Sequence, residues 1–174
     1  MSKFYSGKNQ YFINTVQYIK IKRGQISCTV STKFMKTLEL VTTWDKQHVK
    51  LCFDSDKRLV VAEWKGAIPS KQLRDATVQT CDFVLEHEVE LLLNDYTLLL
   101  IPNLEDQVWV ANHAAELLQH SKIRKIANLM AQDLFQQIPL EGVNDSFSNV
   151  PLHCESRDFL SASEALQWLL SDAQ

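Results

Sequence analysis

The chain has 174 residues, of which 45% are hydrophobic and 22% are charged. This composition is typical of a globular protein and excludes a wholly disordered or fibrous chain, and the length suits one domain with one core. The longest apolar runs, such as Leu98 to Ile101, are far shorter than the roughly 20 residues of a membrane-spanning helix, so we predict no membrane span.

The spacing of the cysteines and the distribution of charge argue against a metal or redox motif and against a nucleic-acid partner. Four cysteines, at positions 28, 52, 81 and 154, show no C-x-x-C spacing, which favours reduced thiols in a cytoplasmic protein over a zinc or redox motif. The net charge of −3 combines a segment of +6 in residues 1–34, which contain no acid, with −9 in the rest of the chain. The acidic body repels phosphates, so we expect no nucleic-acid partner.

Residues 1–34 are interpreted as a basic N-terminal extension that precedes the domain of residues 35–174. Met35-Lys36-Thr37-Leu38 would be a natural beginning for that domain, so the extension is either poorly ordered or lies upstream of the true start. A hairpin is an alternative, because Ile19 and Ile21 alternate before Arg23-Gly24, and Ile26, Cys28 and Val30 alternate after it. Targeting or nucleic-acid contact is the third alternative.

The next part of the chain predicts an antiparallel hairpin and a helix. Strands are indicated around Leu38 to Thr42, Val49 to Phe53 and Leu59 to Trp64, and Asp54-Ser55-Asp56-Lys57 supplies turn residues between the last two. Ser70 is expected to cap a helix. One stripe of that helix is apolar or small and should lie on a sheet: Leu73, Ala76, Thr77, Thr80, Cys81, Val84 and Leu85.

The second half predicts strands that alternate with helices. Val89 to Leu93 is typical of a buried central strand, parallel to the strand before the helix. Asn103 is expected to cap a second helix, with a buried stripe formed by Leu104, Val108, Ala111, Ala115 and Leu118. Later segments predict a strand at 125–130, a short helix at 133–138, a loop at 139–151, a strand at 153–157 and a helix opened by Ser161 and Glu164. Together they predict an α/β fold: a mixed sheet with crossover helices packed on it.

Three short signals occur in a fixed order along the chain. They are Ala62-Glu63-Trp64-Lys65-Gly66, Leu91-Leu92-Leu93-Asn94-Asp95 and Ser161-Ala162-Ser163-Glu164-Ala165-Leu166-Gln167-Trp168-Leu169. In this order they resemble the SpoIIAA-like family of the STAS superfamily (sulfate transporter and anti-sigma-factor antagonist), over about residues 38–170. The resemblance implies a single STAS-like domain, distantly similar to the lipid-binding CRAL-TRIO proteins, in which Trp64 and Trp168 are structural core residues.

The resemblance implies a function based on binding. The expectation is a non-enzymatic, cytoplasmic regulatory module that acts through protein–protein interaction or self-association, including a homodimer. The alternative is a carrier or sensor of a small apolar ligand or lipid, and an enzyme that uses Asp95 is a third hypothesis. Anti-sigma-factor antagonists carry a phosphorylated serine in a turn, but the comparable positions here are Asn94-Asp95-Tyr96-Thr97. Tyr96 or Thr97 would be an unsupported substitute, so the resemblance does not extend to the phosphoswitch.

A ligand site is predicted beyond the carboxyl ends of the strands, where ligands of α/β proteins gather. The candidate ligand-binding residues are Asp95, Tyr96, Trp109, Lys65 and Arg74. The alternative for Asp95 is that it accepts backbone hydrogen bonds and holds its own loop. The sequence indicates no catalytic residues, cofactor or metal: His113 and His120 lie seven residues apart on one helix, too far to share an ion.

Overall fold

In the computed structural model, the described residues are 16–22, 25–31, 38–131 and 153–171, and the first two ranges are described by their backbone alone. These residues form one mixed sheet of eight strands, with three helices packed on it. This arrangement confirms the predicted α/β fold. The elements are β1 (Val16–Lys22), β2 (Gln25–Ser31), β3 (Leu40–Asp45), β4 (Val49–Asp54), β5 (Leu59–Gly66), α1 (Ser70–Glu86), β6 (Leu91–Leu99), α2 (Leu104–Leu118), β7 (Lys125–Leu129), β8 (Glu155–Phe159) and α3 (Ala162–Leu169).

The strands lie in the sheet in the order in which they occur in the chain. β1 to β5 are antiparallel, and β5 to β8 are parallel. The β1–β2 pair corresponds to the hairpin alternative for residues 1–34, and β2 pairs with β3 only at Ser27↔Val41 and Cys28↔Leu40. The predicted helix at 133–138 and loop at 139–151 lie outside the described residues.

The sheet separates two hydrophobic cores, because successive side chains of a strand point to opposite faces. Core 1 lies under α1 and α2 and contains Leu51, Val60, Trp64, Val84 and Leu92 among others. Core 2 lies under α3 and is built from the alternate strand positions, together with Ala165, Leu166 and Leu169. The three helices therefore cover both faces of the sheet.

Local signals explain where several elements begin and end. The Asp54 carboxylate accepts a hydrogen bond from the Lys57 backbone N–H at 3.0 Å, as expected for the predicted turn. Gly66 ends β5 with φ of 76°, a left-handed conformation that a residue with a side chain rarely adopts. Asn103 caps α2 as predicted, because its side chain accepts a hydrogen bond from the Asp106 N–H at 2.9 Å.

Two predicted helix starts are wrong in detail. α1 begins at Ser70 itself, with Pro69 at the cap position and no side-chain cap. Ser161 does precede α3, but its side chain makes no capping bond and instead lies 2.8 Å from the Ser163 hydroxyl. In both cases a nearby side chain offers the serine hydroxyl another hydrogen bond. Neither α1 nor any other described helix is long and apolar enough to cross a bilayer.

The predicted stripe of α2 is also displaced. Leu104 is 64% exposed, whereas Asp106 is buried together with Ala115 and Leu118. Hydrophobic periodicity assigned the inward face from apolar residues alone, so it could not place a carboxylate there. The stripe of α1 is confirmed for six of its seven residues, and Leu85 is half-buried.

Candidate functional site

The starts of α1 and α2 lie side by side, and a buried carboxylate joins them. Asp106, in the first turn of α2, accepts hydrogen bonds from the Ser70 hydroxyl at 2.5 Å and from Arg74 Nε at 3.0 Å. The Asn103 side-chain amide donates a third, at 2.9 Å. Because the Ser70 hydroxyl, then Arg74 and Asn103, favour the charged form, the pKa of Asp106 lies below its ordinary value of 3.8.

Arg74 and Trp109, two of the predicted ligand-binding residues, are brought together by this arrangement. The Arg74 guanidinium lies 5.2 Å from the centre of the Trp109 ring, within the range of a cation–π contact. The Trp109 ring also stacks on His113, with ring centres 4.5 Å apart. The Arg74 guanidinium also donates hydrogen bonds to Asp106 and Glu105, so much of its hydrogen-bonding capacity is used inside the protein.

An open groove, here called the helix-start groove, lies between the two helix starts. Its volume is about 400 Å³, within the range of ligand pockets, but its lining is polar and charged rather than apolar. The lining residues are Ser70, Lys71, Arg74, Asp75, Glu105 and Asp106. Such a lining suits contacts with polar and charged groups and not the burial of an apolar molecule.

Asp95 and Tyr96 do not form a pocket with Trp109. Residues 94–97 continue β6 and are not the predicted turn, so Asp95 and Tyr96 are neighbours in a strand. Asp95 is in register with Glu63 and Leu129 on the α3 side of the sheet, whereas Tyr96 packs against core 1 on the α1/α2 side. Strand alternation therefore places the two side chains on opposite faces of the sheet.

The Asp95 carboxylate makes short-range hydrogen bonds. Its Oδ1 accepts from the Thr97 N–H at 3.0 Å and from the Thr97 hydroxyl at 2.6 Å. These bonds lie where the β5–β6 register shifts, between the pairs Glu63↔Asp95 and Lys65↔Leu98. This is the local bracing geometry that the sequence offered as the alternative to ligand contact.

Tyr96 and Lys65 occupy unlike surroundings. The Tyr96 ring lies 6.3 Å from the Trp64 ring, and burial, then the nearby Asp158 and Cys81, raise the pKa of its phenol above the ordinary value of 10.0. Lys65 is exposed, and its backbone N–H donates to the His48 carbonyl at 2.9 Å. Lys65 points away from Trp64, so it joins neither Arg74 nor Trp109.

Trp64 and Trp168 belong to different cores. Trp64 is 6% exposed in core 1, and its indole N–H has no hydrogen-bond partner among the groups that the structure describes. Trp168 is half-buried beside core 2, with its ring centre 5.5 Å from that of Phe159. Lys125 and Arg157 both lie over the Trp168 ring, at 5.2 and 5.0 Å.

Four exposed aliphatic side chains lie in the seven-residue stretch that runs from the last residues of β6 to the first residue of α2. We call Leu98, Leu100, Ile101 and Leu104 the aliphatic patch; they are 50%, 63%, 45% and 64% exposed. The Leu100 N–H donates to the Gly66 carbonyl at 3.1 Å, which holds this segment beside the chain that leads into α1. The patch ends one residue before Glu105, on the rim of the helix-start groove.

The remaining reactive side chains are dispersed. Within the described ranges, no three His, Cys, Asp or Glu residues are grouped to hold a metal ion. The Cys52 and Cys81 side chains are buried, and burial raises the pKa of the Cys81 thiol to about 12. Cys154 lines a cavity of about 50 Å³ together with His153 and Leu118, which is much smaller than the roughly 300 Å³ at the low end for ligand pockets.

The site residues that sequence reasoning missed are Asp106 and the aliphatic patch. The sequence offered Asp106, three residues after the Asn103 cap, only as part of the signal for the start of α2 and not as a link to α1. Leu98 to Ile101 stood out as an apolar run, yet its exposure is a property of the folded chain.

Comparisons of the chain with protein-family models, with curated proteins and with solved structures gave no match.

Proposed function

We propose that this protein is a non-enzymatic binding module that acts through protein–protein contacts and that the aliphatic patch is its contact surface. The observation that supports the proposal is the exposure of four large aliphatic side chains within seven residues. Single exposed leucines are common on protein surfaces, but a group of them marks interaction sites.

The surroundings of the patch resemble the anatomy of an interface. Protein interfaces combine an apolar centre with a polar rim, and burial of a leucine side chain contributes roughly 1.5–3 kcal/mol. Here the patch supplies the apolar side chains, and the charged helix-start groove includes Glu105, the residue that follows Leu104 in the chain. A protein partner could bury the patch and place polar groups along the groove.

Membership of the SpoIIAA-like family of the STAS superfamily is part of this proposal. Its support is the order of the three sequence signals. The family expectation carries with it a cytoplasmic, regulatory role. The phosphoswitch is left out of the proposal, because Thr97 and Tyr96 stand where those proteins have serine.

A carrier of a small apolar ligand or lipid is the second candidate function. The same aliphatic run favours it, because exposed leucines also attract acyl chains. The geometry favours protein contact more, since the four side chains are displayed outward and the neighbouring groove is lined by charges. An apolar carrier needs a concave apolar pocket that surrounds most of its ligand.

Site-specific photo-cross-linking in living cells tests the proposed function. A photoreactive phenylalanine analogue is placed at Leu100, at Leu104 and, as a matched control, at Leu160, which is 53% exposed but lies outside the patch. We expect discrete protein adducts from positions 100 and 104 and few from position 160. Adducts should weaken when Leu98→Ser is introduced into the same chain.

The alternatives give different results. Lipid or small-molecule adducts from the patch positions, without protein adducts, would support the carrier and overturn the module. Equal labelling at all three positions would mean that the patch has no special role. Each variant's melting temperature should match that of the parent, since the replaced side chains are exposed.

A further inference from the structure

We infer that the carboxyl ends of β6, β7 and β8 form a second binding site, which takes a small organic amine with at least two hydrogen-bond donors. The site is built on a row of three polar side chains on the α1/α2 face of the sheet. We call Asn94, Asn128 and Asp158 the amide row. It shares no residue with the aliphatic patch, so this inference goes beyond the proposed function and does not depend on it.

The members of the amide row are in register across three parallel strands. Asn94 pairs with Asn128, and Asn128 pairs with Asp158. Leu92 and Ile126, two residues earlier in β6 and β7, belong to core 1, so strand alternation places the row on the same face. Asn128 and Asp158 are each the last residue but one of their strand. The row therefore lies at the carboxyl edge of the parallel strands, the edge at which open α/β sheets bind ligands.

Hydrogen bonds join the row in one direction. Asn94 Nδ2 donates to Asn128 Oδ1 at 3.2 Å, and Asn128 Nδ2 donates to Asp158 Oδ1 at 2.9 Å. The direction follows from the last member, because an ionised carboxylate only accepts hydrogen bonds. Asn128 turns its amide nitrogen toward Asp158 for this reason, and its amide oxygen then faces the nitrogen of Asn94.

This direction leaves acceptors at both ends of the row. Within the described part of the chain, Asn94 Oδ1 accepts no hydrogen bond, and no lysine or arginine forms an ion pair with Asp158. Asn94 and Asn128 are half-buried and Asp158 is exposed, so the row opens to solvent at β8. Neighbouring strands lie about 4.8 Å apart, which separates the two ends by roughly 10 Å. A ligand that serves both ends therefore needs two separate donors.

The charge and the aromatic neighbour of the row select a cation. Tyr96 lies on the same face, two residues after Asn94 in β6. Burial, then the nearby Asp158 carboxylate, raise the pKa of the Tyr96 phenol, which shows that these two side chains approach each other. Carboxylates and the faces of aromatic rings both attract ammonium groups. The β8 end of the row is thus suited to a protonated amine.

α2 adds a buried acceptor on the same face. Asn112 Oδ1 is buried and has no hydrogen-bond partner among the residues that the structure describes. Asn112 shares the inward face of α2 with Ala115, three residues further on. Because α2 connects the end of β6 to the start of the parallel β7, it runs back along β6. Asn112 lies roughly 12 Å from the start of α2, the length of about four strand residues, which brings it to about the level of the amide row.

Other classes of ligand suit this site less well. The groups left to a ligand are the amide oxygens of Asn94 and Asn112 and the carboxylate of Asp158, and all of them accept hydrogen bonds. An anion would meet the Asp158 charge without a donor to offset it. An apolar ligand would cover these acceptors and leave them unpaired, which costs free energy.

An NMR titration of the full chain tests the inference. The probe is 1,5-diaminopentane, whose two ammonium groups can reach both ends of the row. Pentylamine, with one ammonium group, and pentane-1,5-diol, with donors but no charge, are controls of the same length. We expect the backbone amide signals of residues 94, 96, 128 and 158 to shift together with the diamine, to shift only at higher concentration with pentylamine, and not to shift with the diol.

Substitutions at the two ends of the row assign the contacts. Asp158→Asn removes the charge but keeps the size, and it should raise the dissociation constant of the diamine at least ~10-fold. Asp56→Asn is the matched control and should leave the constant unchanged, because Asp56 lies in the exposed turn before β5, at the opposite end of the parallel strands. Asn94→Leu should reduce the affinity for the diamine to that for pentylamine, since only the Asp158 end remains.

The following outcomes would overturn the inference. They are the absence of shifts at the four positions, shifts of equal size at acidic residues all over the surface, and equal weakening by Asp158→Asn and Asp56→Asn. Asn94→Leu that folds and binds the diamine as tightly as the parent would refute the two-ended ligand. Cross-linking at the aliphatic patch is measured separately, so failure of this site and failure of the proposed function are distinguishable.

Discussion

On the α1/α2 face of the sheet a buried carboxylate, Asp106, joins two helix starts, whereas on the α3 face a buried lysine, Lys125, holds one helix end. Lys125 Nζ donates to the Trp168 carbonyl at 3.0 Å and to the Ser171 hydroxyl at 2.9 Å. Each charge lies at the helix end whose partial charge is opposite to its own, because backbone N–H groups are exposed at a helix start and carbonyl groups at its end.

The comparison teaches how this fold buries charge. Neither group is an isolated ion in an apolar core, since each replaces its lost hydration with several hydrogen bonds. The hydrophobic cores differ too: Trp64 is 6% exposed in core 1, while Trp168 is half-buried beside core 2. We therefore expect the α1/α2 face to carry more of the stability than the α3 face, and changes at Trp64, Trp168, Asp106 and Lys125 test this.

The largest effect is expected from Trp64→Ala. Removal of a buried aromatic side chain costs roughly 3–5 kcal/mol, which would lower the melting temperature by roughly 10 °C or more in a chain of this size. Trp168→Ala should cost about half as much, since that ring is partly exposed. Thermal unfolding of both variants measures the difference. Equal losses would mean that the two faces contribute equally.

The next effect concerns Asp106 and pH. Because the folded pKa of Asp106 is lowered, the ionised carboxylate stabilises the fold above its ordinary pKa of 3.8, and this stability is lost as the pH falls through the folded pKa. Asp106→Asn should lower the free energy of unfolding at pH 7. Below about pH 5, the free energy of unfolding of this variant should fall less steeply with decreasing pH than that of the parent. Urea unfolding between pH 2 and 7 measures this, with Asp75→Asn as the surface control. Parallel pH curves for parent and Asp106→Asn would contradict the assignment.

Lys125→Met tests the α3 face. Methionine keeps most of the length of the side chain but removes the donors to Trp168 and Ser171, and hydrogen bonds of a charged group contribute roughly 1.5–3 kcal/mol. We expect amide hydrogen exchange to increase in α3 while α1 and α2 retain the parent's protection. Faster exchange throughout the molecule would show instead that Lys125 supports the whole fold. Arg157→Met removes the other cation over Trp168 and is the matched control.

The smallest effect is expected from a chain that begins at Met35. β2 is in register with β3 at two residue pairs, whereas β4 and β5 pair at six. Loss of residues 1–34 should therefore change the melting temperature by only a few degrees. Aggregation or a large drop would show that β1 and β2 protect the edge of β3 and contribute to the common sheet.

Local signals accounted for much of the fold. The i, i+3, i+4 stripe of α1, the Asp54 turn and the Asn103 cap depend on residues close in sequence, and all three occur in the structure. The candidate site was predicted less well. Arg74 and Trp109 do meet, but Asp95 lies on the other face of the sheet because β6 continues through the expected turn.

The sequence by itself determined the alternation of strands and helices, the buried central strand and the separation of a basic segment from an acidic body, because periodicity and charge are properties of neighbouring residues. Only the tertiary structure decided that Asp106 lies inside, that Leu98, Leu100, Ile101 and Leu104 lie outside, and that Lys125 reaches α3. Asp106 and Lys125 bond to partners 32 to 46 residues away in the chain. The burial of a side chain is set by what the folded chain places against it rather than by its own polarity.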